Sequence, residues 1–384
     1  MTTSSKGKII IVGDSFPVPS NIPFYEKGDI NHLFGEKICS IFKDADLRIC
    51  NLEGALTDSN DTCEKTGPVV KAPTQAVKAF QELGINCCTL ANNHITDAGH
   101  QGVVDTMHTL DAANIKHIGA GENIDKINHF LVFEVANKKI GLYNVCEAMY
   151  NQPSKNKAGA FIYDEYIVCR EIGKLKTECD YLIVVYHGGA EKFRFPSPQT
   201  RKRFHRMVDS GANMILSQHT HCVGCEEYYK EAYLLYGQGN FLFRSFNNEF
   251  TDTGLIIELE VGDDSFVVNK HLVNAVDDTV RYAESQDFTE FYKRSSMVKD
   301  EDYVNELFNQ YCLSELPQYL YAYRSSIIDR ILKRFSKKRS MDYLLTKAYS
   351  RKKMLFTLHS LRSEQNREVA ITGLIELLKK NKEE

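Results

Sequence analysis

Five times within the first 221 residues, an apolar strand-like run ends in side chains able to bind a metal ion. Asp14 follows Lys8–Val12, Glu53 follows Leu47–Cys50, Asn93 and His94 follow Asn86–Leu90, His187 follows Tyr181–Tyr186, and His219 with His221 follow Met214–Leu216. In open α/β sheets the loops at the carboxyl ends of neighbouring strands converge on one edge, so residues distant in sequence can share one site. Taken singly, each residue also reads as a turn residue, a helix cap, a surface carboxylate or a satisfied core histidine. Five in one register are hard to reconcile with anything but a layered α/β domain whose strand ends face each other.

The intervening sequence fits that domain. Amphipathic helical stretches lie at Asn31–Lys43, Pro73–Leu83, Gly99–Ala113, Asp164–Glu178 and Pro198–Ser210, each opened by Asn, Pro, Gly or Asp. Phe130–Val135 and Lys139–Val145 read as a hairpin, and Ala232–Tyr236, Leu255–Val261 and Phe266–Leu272 as further locally paired strands, so mixed sheets are expected. After about Asp277 the texture turns helical, without obvious strands. The expected division is a catalytic domain over residues 1–276 and a basic α-helical region over 277–384. From Leu316 to Glu384 there are 16 Lys and Arg against 7 Asp and Glu, a local excess of nine in a chain whose net charge is -4. That run reads either as a solvated helical face or as a surface for a membrane, an acidic polymer or a polymer-synthase partner.

The donors themselves restrict the ion. Carboxylate, amide and imidazole together suit Mn, Fe or Zn better than an all-oxygen Mg or Ca site. In SQHTHCVG, an extended chain would project His219 and His221 to the same side.

The order GD at Gly13, NLEG at Asn51, ANNHITDAG at Ala91, YHGGAE at Tyr186, GANMILSQHTH at Gly211 and GQGNFLF at Gly237 resembles the CapA/PgsA-type capsule-synthesis proteins, a branch of the calcineurin-like metallophosphoesterase superfamily. The resemblance spans roughly residues 8 to 245. It implies a four-layer α/β/β/α sandwich, followed here by an α-helical appendage, with two divalent transition-metal ions between loops at one end. It also implies roles: Asp14 as a ligand of the first metal, Glu53 as the bridging carboxylate, Asn93 and His187 on the second metal, His219 and His221 as the closing His-x-His pair, and His94 as general acid. The implied reaction is hydrolysis by metal-bound hydroxide on a phosphorylated or anionic intermediate of capsule, exopolysaccharide or poly-gamma-glutamate synthesis.

Asp97, three residues after His94, is expected to orient its imidazole. Glu191 in the YHGGAE turn and Asn240 in GQGNF are candidates for substrate binding, while Arg194, Arg201 and Arg203 could steer an anionic substrate but, at a helix start, read more readily as solvent-facing. Three departures from the superfamily pattern stand out: Phe16 where Asp-x-His is usual, Glu53 for an Asp, and Gln218 for the Gly before the His pair. The loss of an imidazole at position 16 keeps open a second reading, a non-catalytic metal-binding scaffold of a polymer-synthesis complex.

Other functions are disfavoured. The G-x-G at Gly119 and Gly237 lack the third glycine and following helix of a dinucleotide site, and no Walker motif occurs. An acidic chain with pI near 6.3 is not built mainly to bind nucleic acid. Eleven scattered cysteines suit a reducing compartment, and the C-x-x-C at Cys222 and Cys225 lacks a second pair for zinc. No run approaches the ~18 to 20 apolar residues of a membrane span, so a cytoplasmic protein, able to lie against a membrane, is expected.

Overall fold

The computed structural model describes residues 6–243, 248–263, 265–323 and 350–383. Two compact units divide the chain. The first takes in Met1–Cys63, Val69–Glu147 and Asn151–Val304, and the second takes in Glu64–Pro68, Ala148–Tyr150 and Asn305–Glu384.

Two mixed sheets form the first unit. In one, Gly7–Ser15 lies at the centre, parallel to Leu47–Leu52, which is followed outward by Cys87–Thr89 and Lys116–Ile118. On its other side Thr253–Val261, Phe266–Val276 and Thr279–Tyr282 add antiparallel strands. The second sheet runs Glu226–Tyr229, Ala232–Leu235, Met214–Gln218, Tyr181–His187, Lys138–Cys146 and Phe130–Val135. Its three central neighbours, Lys138–Cys146, Tyr181–His187 and Met214–Gln218, are parallel.

Strand side chains alternate between faces, and in the central strands both faces are covered. Ile10 and Val12 join a core with Leu33, Phe34, Phe42, Phe80 and Leu110 from the flanking helices. Ile9 and Ile11 point the other way, into a core shared with Ile183, Val185 and Leu216 of the second sheet. Leu182, Val184 and Ile215 then face a third core with Val168, Ile172, Phe204 and Met207 of the outer helices. Three interlayer cores make four layers, the expected α/β/β/α sandwich. Burial on both sides is why these strands read as unbroken apolar runs rather than alternating ones. Each buried Ile, Leu or Val contributes roughly 1.5–3 kcal/mol.

The first unit continues past the boundary expected at residue 276. Thr279–Tyr282 pairs with Phe266–Val276, helix Thr289–Met297 buries Phe291 in the intersheet core, and the unit ends at Val304. In the second unit, Arg351–Arg362 and Glu364–Glu383 are helical. There Tyr150 stacks on His359 with ring centroids 4.8 Å apart, and Arg351 pairs with Glu64. The basic stretch 324–347 lies outside the described residues. Among the described residues no helix is long and apolar enough to cross a membrane.

Candidate metal centre

Register places the site residues before any side chain is considered. Asp14 is paired with Asn51 across neighbouring parallel strands, His187 is paired with Cys146 and Gln218, and Glu53 follows directly after its strand. Close approach of two glycines brings in the last loop. A Cβ at Gly13 would meet Gly239 O at 2.2 Å, so only glycine lets the end of the first strand lie against GQGN, where Asp14 pairs with Asn240.

Six of the expected residues converge. Donor atoms of Glu53, His187 and His219 lie within 4.8 Å of one another, as do those of Asp14, Glu53 and His221. Glu53 belongs to both groups. Asn93 Oδ1 is 2.7 Å from His187 Nε2, which puts the amide on the Glu53–His187–His219 side. One histidine of the closing pair thus serves each group.

The His pair gets there by a different route from the extended chain expected. Strand Met214–Gln218 ends one residue earlier, and His219 and His221 have φ of 84° and 51°. Left-handed backbone is unfavourable for a non-glycine residue, and two such residues in one loop mark a strained turn. Hydrogen bonds hold it: His219 N–H donates to Asp14 Oδ2 at 3.0 Å, and Asn240 Oδ1 lies 2.8 Å from His221 Nδ1.

Supporting amides surround the ligand atoms. Asn51 Nδ2 donates to Asp14 Oδ1 at 2.7 Å and lies 3.2 Å from His187 Nδ1. Asn92 Nδ2 donates to Leu52 O at 2.8 Å and Asn92 Oδ1 accepts from His94 N–H at 3.1 Å. Asp97 Oδ2, fully buried, lies 2.7 Å from His94 Nδ1. Asn240 donates its amide to Thr251 O at 2.9 Å while its Oδ1 lies against His221 Nδ1. Glu191, about half exposed, has Oε1 3.9 Å from His219 Nε2.

Asn51, Asn92 and Glu147 went unremarked in the sequence. Both asparagines stand inside the recognised motifs, and Glu147 follows a strand end, so the same register could have found it. Two of the arginines expected to face solvent turn inward. Arg201 pairs with Glu227 at 2.8 Å, and Arg203 is buried with its guanidinium 4.2 Å from the Tyr163 ring centroid. Cys222 and Cys225 are buried, and burial pushes the Cys222 thiol up to about 11, so they pack as small hydrophobes.

Electrostatics identify what the cluster is fitted for. Glu53 is fully buried and neither carboxylate oxygen has a hydrogen-bond partner. Burial first, and then the Asp14 charge, push it up to about 8. A buried carboxylate left this way is costly unless a cation compensates it. Burial lowers His187 to about 4 and His219 to about 3, keeping both as neutral imidazoles, the form that ligates. His219 Nδ1 is also buried without a hydrogen-bond partner. Asp14 is held below the ordinary carboxylate range: burial opposes this, but a hydrogen bond from His221 and, in the acid range where Asp14 titrates and His187 too is protonated, the His187 and His221 charges outweigh it. The donors therefore fit a divalent cation or a pair of them.

Fold and site together define a layered α/β protein with a buried acid–imidazole cluster at its strand ends. The chain belongs to the family described as bacterial capsule synthesis protein PGA_cap, whose model matches residues 8–245. It is similar to the capsule biosynthesis protein CapA of Bacillus anthracis, 28% identical over 193 residues covering 49% of this chain and 47% of that one. It is also similar to the PGA biosynthesis protein CapA of Bacillus subtilis, 26% identical over 221 residues, 56% and 58% of the two chains. A "Probable polyglutamine synthesis accessory protein" of Mycobacterium tuberculosis is 27% identical over 210 residues, 51% of this chain and 55% of that one. The chain thus spans about half the length of these relatives. Among solved structures, a 5'-nucleotidase precursor from Thermus thermophilus aligns with a TM-score of 0.42 and 12% identity, over 72% of this chain and 56% of that one.

Proposed function

We propose that this chain is a metal-dependent hydrolase of the phosphoesterase kind, acting on a phosphorylated or anionic intermediate of surface-polymer synthesis. One observation carries the reading: Glu53 is shared by two donor groups, is fully buried, and has no hydrogen bond to either oxygen. Asp14 and His221 would hold one cation, and Asn93, His187 and His219 a second, with Glu53 between them. The chemistry such cations supply when bound is polarisation of a phosphoryl oxygen and acidification of a water.

The chain's own residues supply the rest. Asp97 takes up His94 Nδ1, so proton transfer to a leaving oxygen falls to Nε2. Asn51 and Asn240 fix the rotation of His187 and His221, whose aim then does not depend on substrate. Glu191 stands at the exposed rim, where it can meet a substrate group. The family supports polymer synthesis as the setting; a synthase or membrane surface as partner is part of the proposal. Eleven cysteines scattered without a regular framework support a reducing, cytoplasmic location.

A second reading, a metal-binding scaffold without turnover, is favoured by Phe16, which is buried in the helix-side core where an imidazole is usual in the superfamily. Activity of the Mn- or Zn-loaded protein against phosphomonoesters, phosphodiesters and amide-linked glutamate polymers separates the two. Hydrolysis that disappears in His94→Ala supports the enzyme, and no turnover on any of them rejects it.

A further inference from the structure

An amide interrupts the apolar face of Lys138–Cys146 near the site. Ile140 and Leu142 lie in the core between the two sheets, and Asn144, next in that alternation, is fully buried. A buried amide is costly unless it is hydrogen-bonded, a demand that leucine in the same row would not make. Asn144 is bonded at both ends. Its Nδ2 donates to Val185 O at 3.1 Å, in the neighbouring strand of its own sheet. Its Oδ1 accepts the Ala91 N–H at 2.8 Å, in the loop that follows Cys87–Thr89 of the other sheet.

The two backbone partners occupy matching places. Ala91 stands two residues before Asn93, and Val185 two residues before His187. One carboxamide therefore spans the two segments that lead into Asn93 and His187, whose side chains meet with Oδ1 and Nε2 2.7 Å apart. Gly119 leaves room for the bridge: a Cβ there would fall 2.0 Å from Asn144 Oδ1 and 2.5 Å from Ala91 N, and its φ is 97°. The G-x-G at Gly119, which lacks the rest of a dinucleotide site, is accounted for at its first glycine by this close approach.

Resting on the metal-centre reading above, we propose that Asn144 is a positioning residue that sets the separation of the Asn93 and His187 segments. It thereby holds together ligands that arrive from different sheets on the Glu53–His187–His219 side. Asn144 acts through those two ligands and leaves the Asp14–His221 side alone.

The test uses the full chain, stripped with chelator and titrated with Mn by equilibrium dialysis, as wild type, Asn144→Leu, Asn93→Ala and the double variant. Wild type is expected to bind two Mn per chain. Asn144→Leu is expected to weaken one position by on the order of tenfold or more and to leave the other unchanged. Because Asn144 acts through Asn93, the double variant should lose less than the two single losses combined, whereas an unrelated structural role would add in full. Asn144→Ser, whose short hydroxyl cannot span both backbone partners, should give the same one-position loss if the leucine variant does not fold. Unchanged Mn affinity, equal losses at both positions, or fully additive losses in the double variant overturn the proposal while leaving the metal centre standing. A wild type that binds no Mn overturns both.

Discussion

His94 Nδ1 and Asp97 Oδ2 lie 2.7 Å apart, and that same oxygen accepts the Val70 backbone N–H at 2.8 Å. Asp97 is thereby fixed from the main chain of a separate loop, and it fixes the imidazole in turn.

Asp97→Asn should therefore act on the proton transfer and not on the cations. Asp97 belongs to neither donor group, so metal content should match wild type while kcat falls about 10- to 100-fold. Elemental analysis run beside steady-state kinetics checks this, and loss of bound metal in the variant would contradict it.

Glu53→Gln should trade function for stability. The raised pKa of Glu53 means that chelated wild type loses stability as pH climbs from the ordinary value of 4.5 through about 8, because ionising this group inside the fold is costly. The glutamine should flatten that decline and raise the thermal midpoint in chelator above pH 8, while cutting metal stoichiometry by at least one per chain. Differential scanning calorimetry across pH 5 to 9 reads the first effect.

The opposite sign is expected at Glu227. Burial works against its charge, but hydrogen bonds from His205, Arg201 and Tyr236 outweigh it and hold the carboxyl at about 2. A depressed pKa contributes stability that is present above 4.5 and is lost as pH falls towards 2. The drop from 4.5 to about 2 corresponds to no more than about 3 kcal/mol, less after solvent screening. Urea unfolding at pH 6 and pH 3 should show a smaller acid loss in Glu227→Gln than in wild type.

Restoring the missing imidazole should fail. Phe16 is buried in the helix-side core, and a Cβ at Gly54 would come within 2.6 Å of its ring. Phe16→His places a polar ring in that apolar space, costing about 3 kcal/mol, with no gain in metal per chain. A third equivalent of bound metal, or tighter binding at the Asp14 side, would count against this account.

The legible parts of this molecule were those where burial leaves one pattern. Strands such as Ile9–Val12 and Leu182–Val185 face a core on each side, so their sequence is continuously apolar and their presence is plain, although the first strand runs on to Ser15, past the Val12 at which its apolar run stops, and carries Asp14 within it. Glu226–Tyr229 and Thr279–Tyr282 lie at sheet edges with polar sequences, and only pairing with a neighbour makes them strands. The metal-type donors were visible because strand ends converge, whereas the amides of Asn51 and Asn92 have no distinguishing residue type. The route taken by His219 and His221 was hidden because a left-handed turn at histidine is decided by partners far away, Asp14 and Asn240 among them.

Because successive residues of Gly7–Ser15 serve two different interiors, this strand acts as a reading frame for the whole domain. Inserting or deleting one residue between Ile9 and Val12 would turn both apolar faces inside out at once and carry Asp14 to the wrong side of the sheet. Length variation in this stretch is therefore forbidden twice over, by packing and by chemistry, and lineages of this chain should change length in the connecting loops instead.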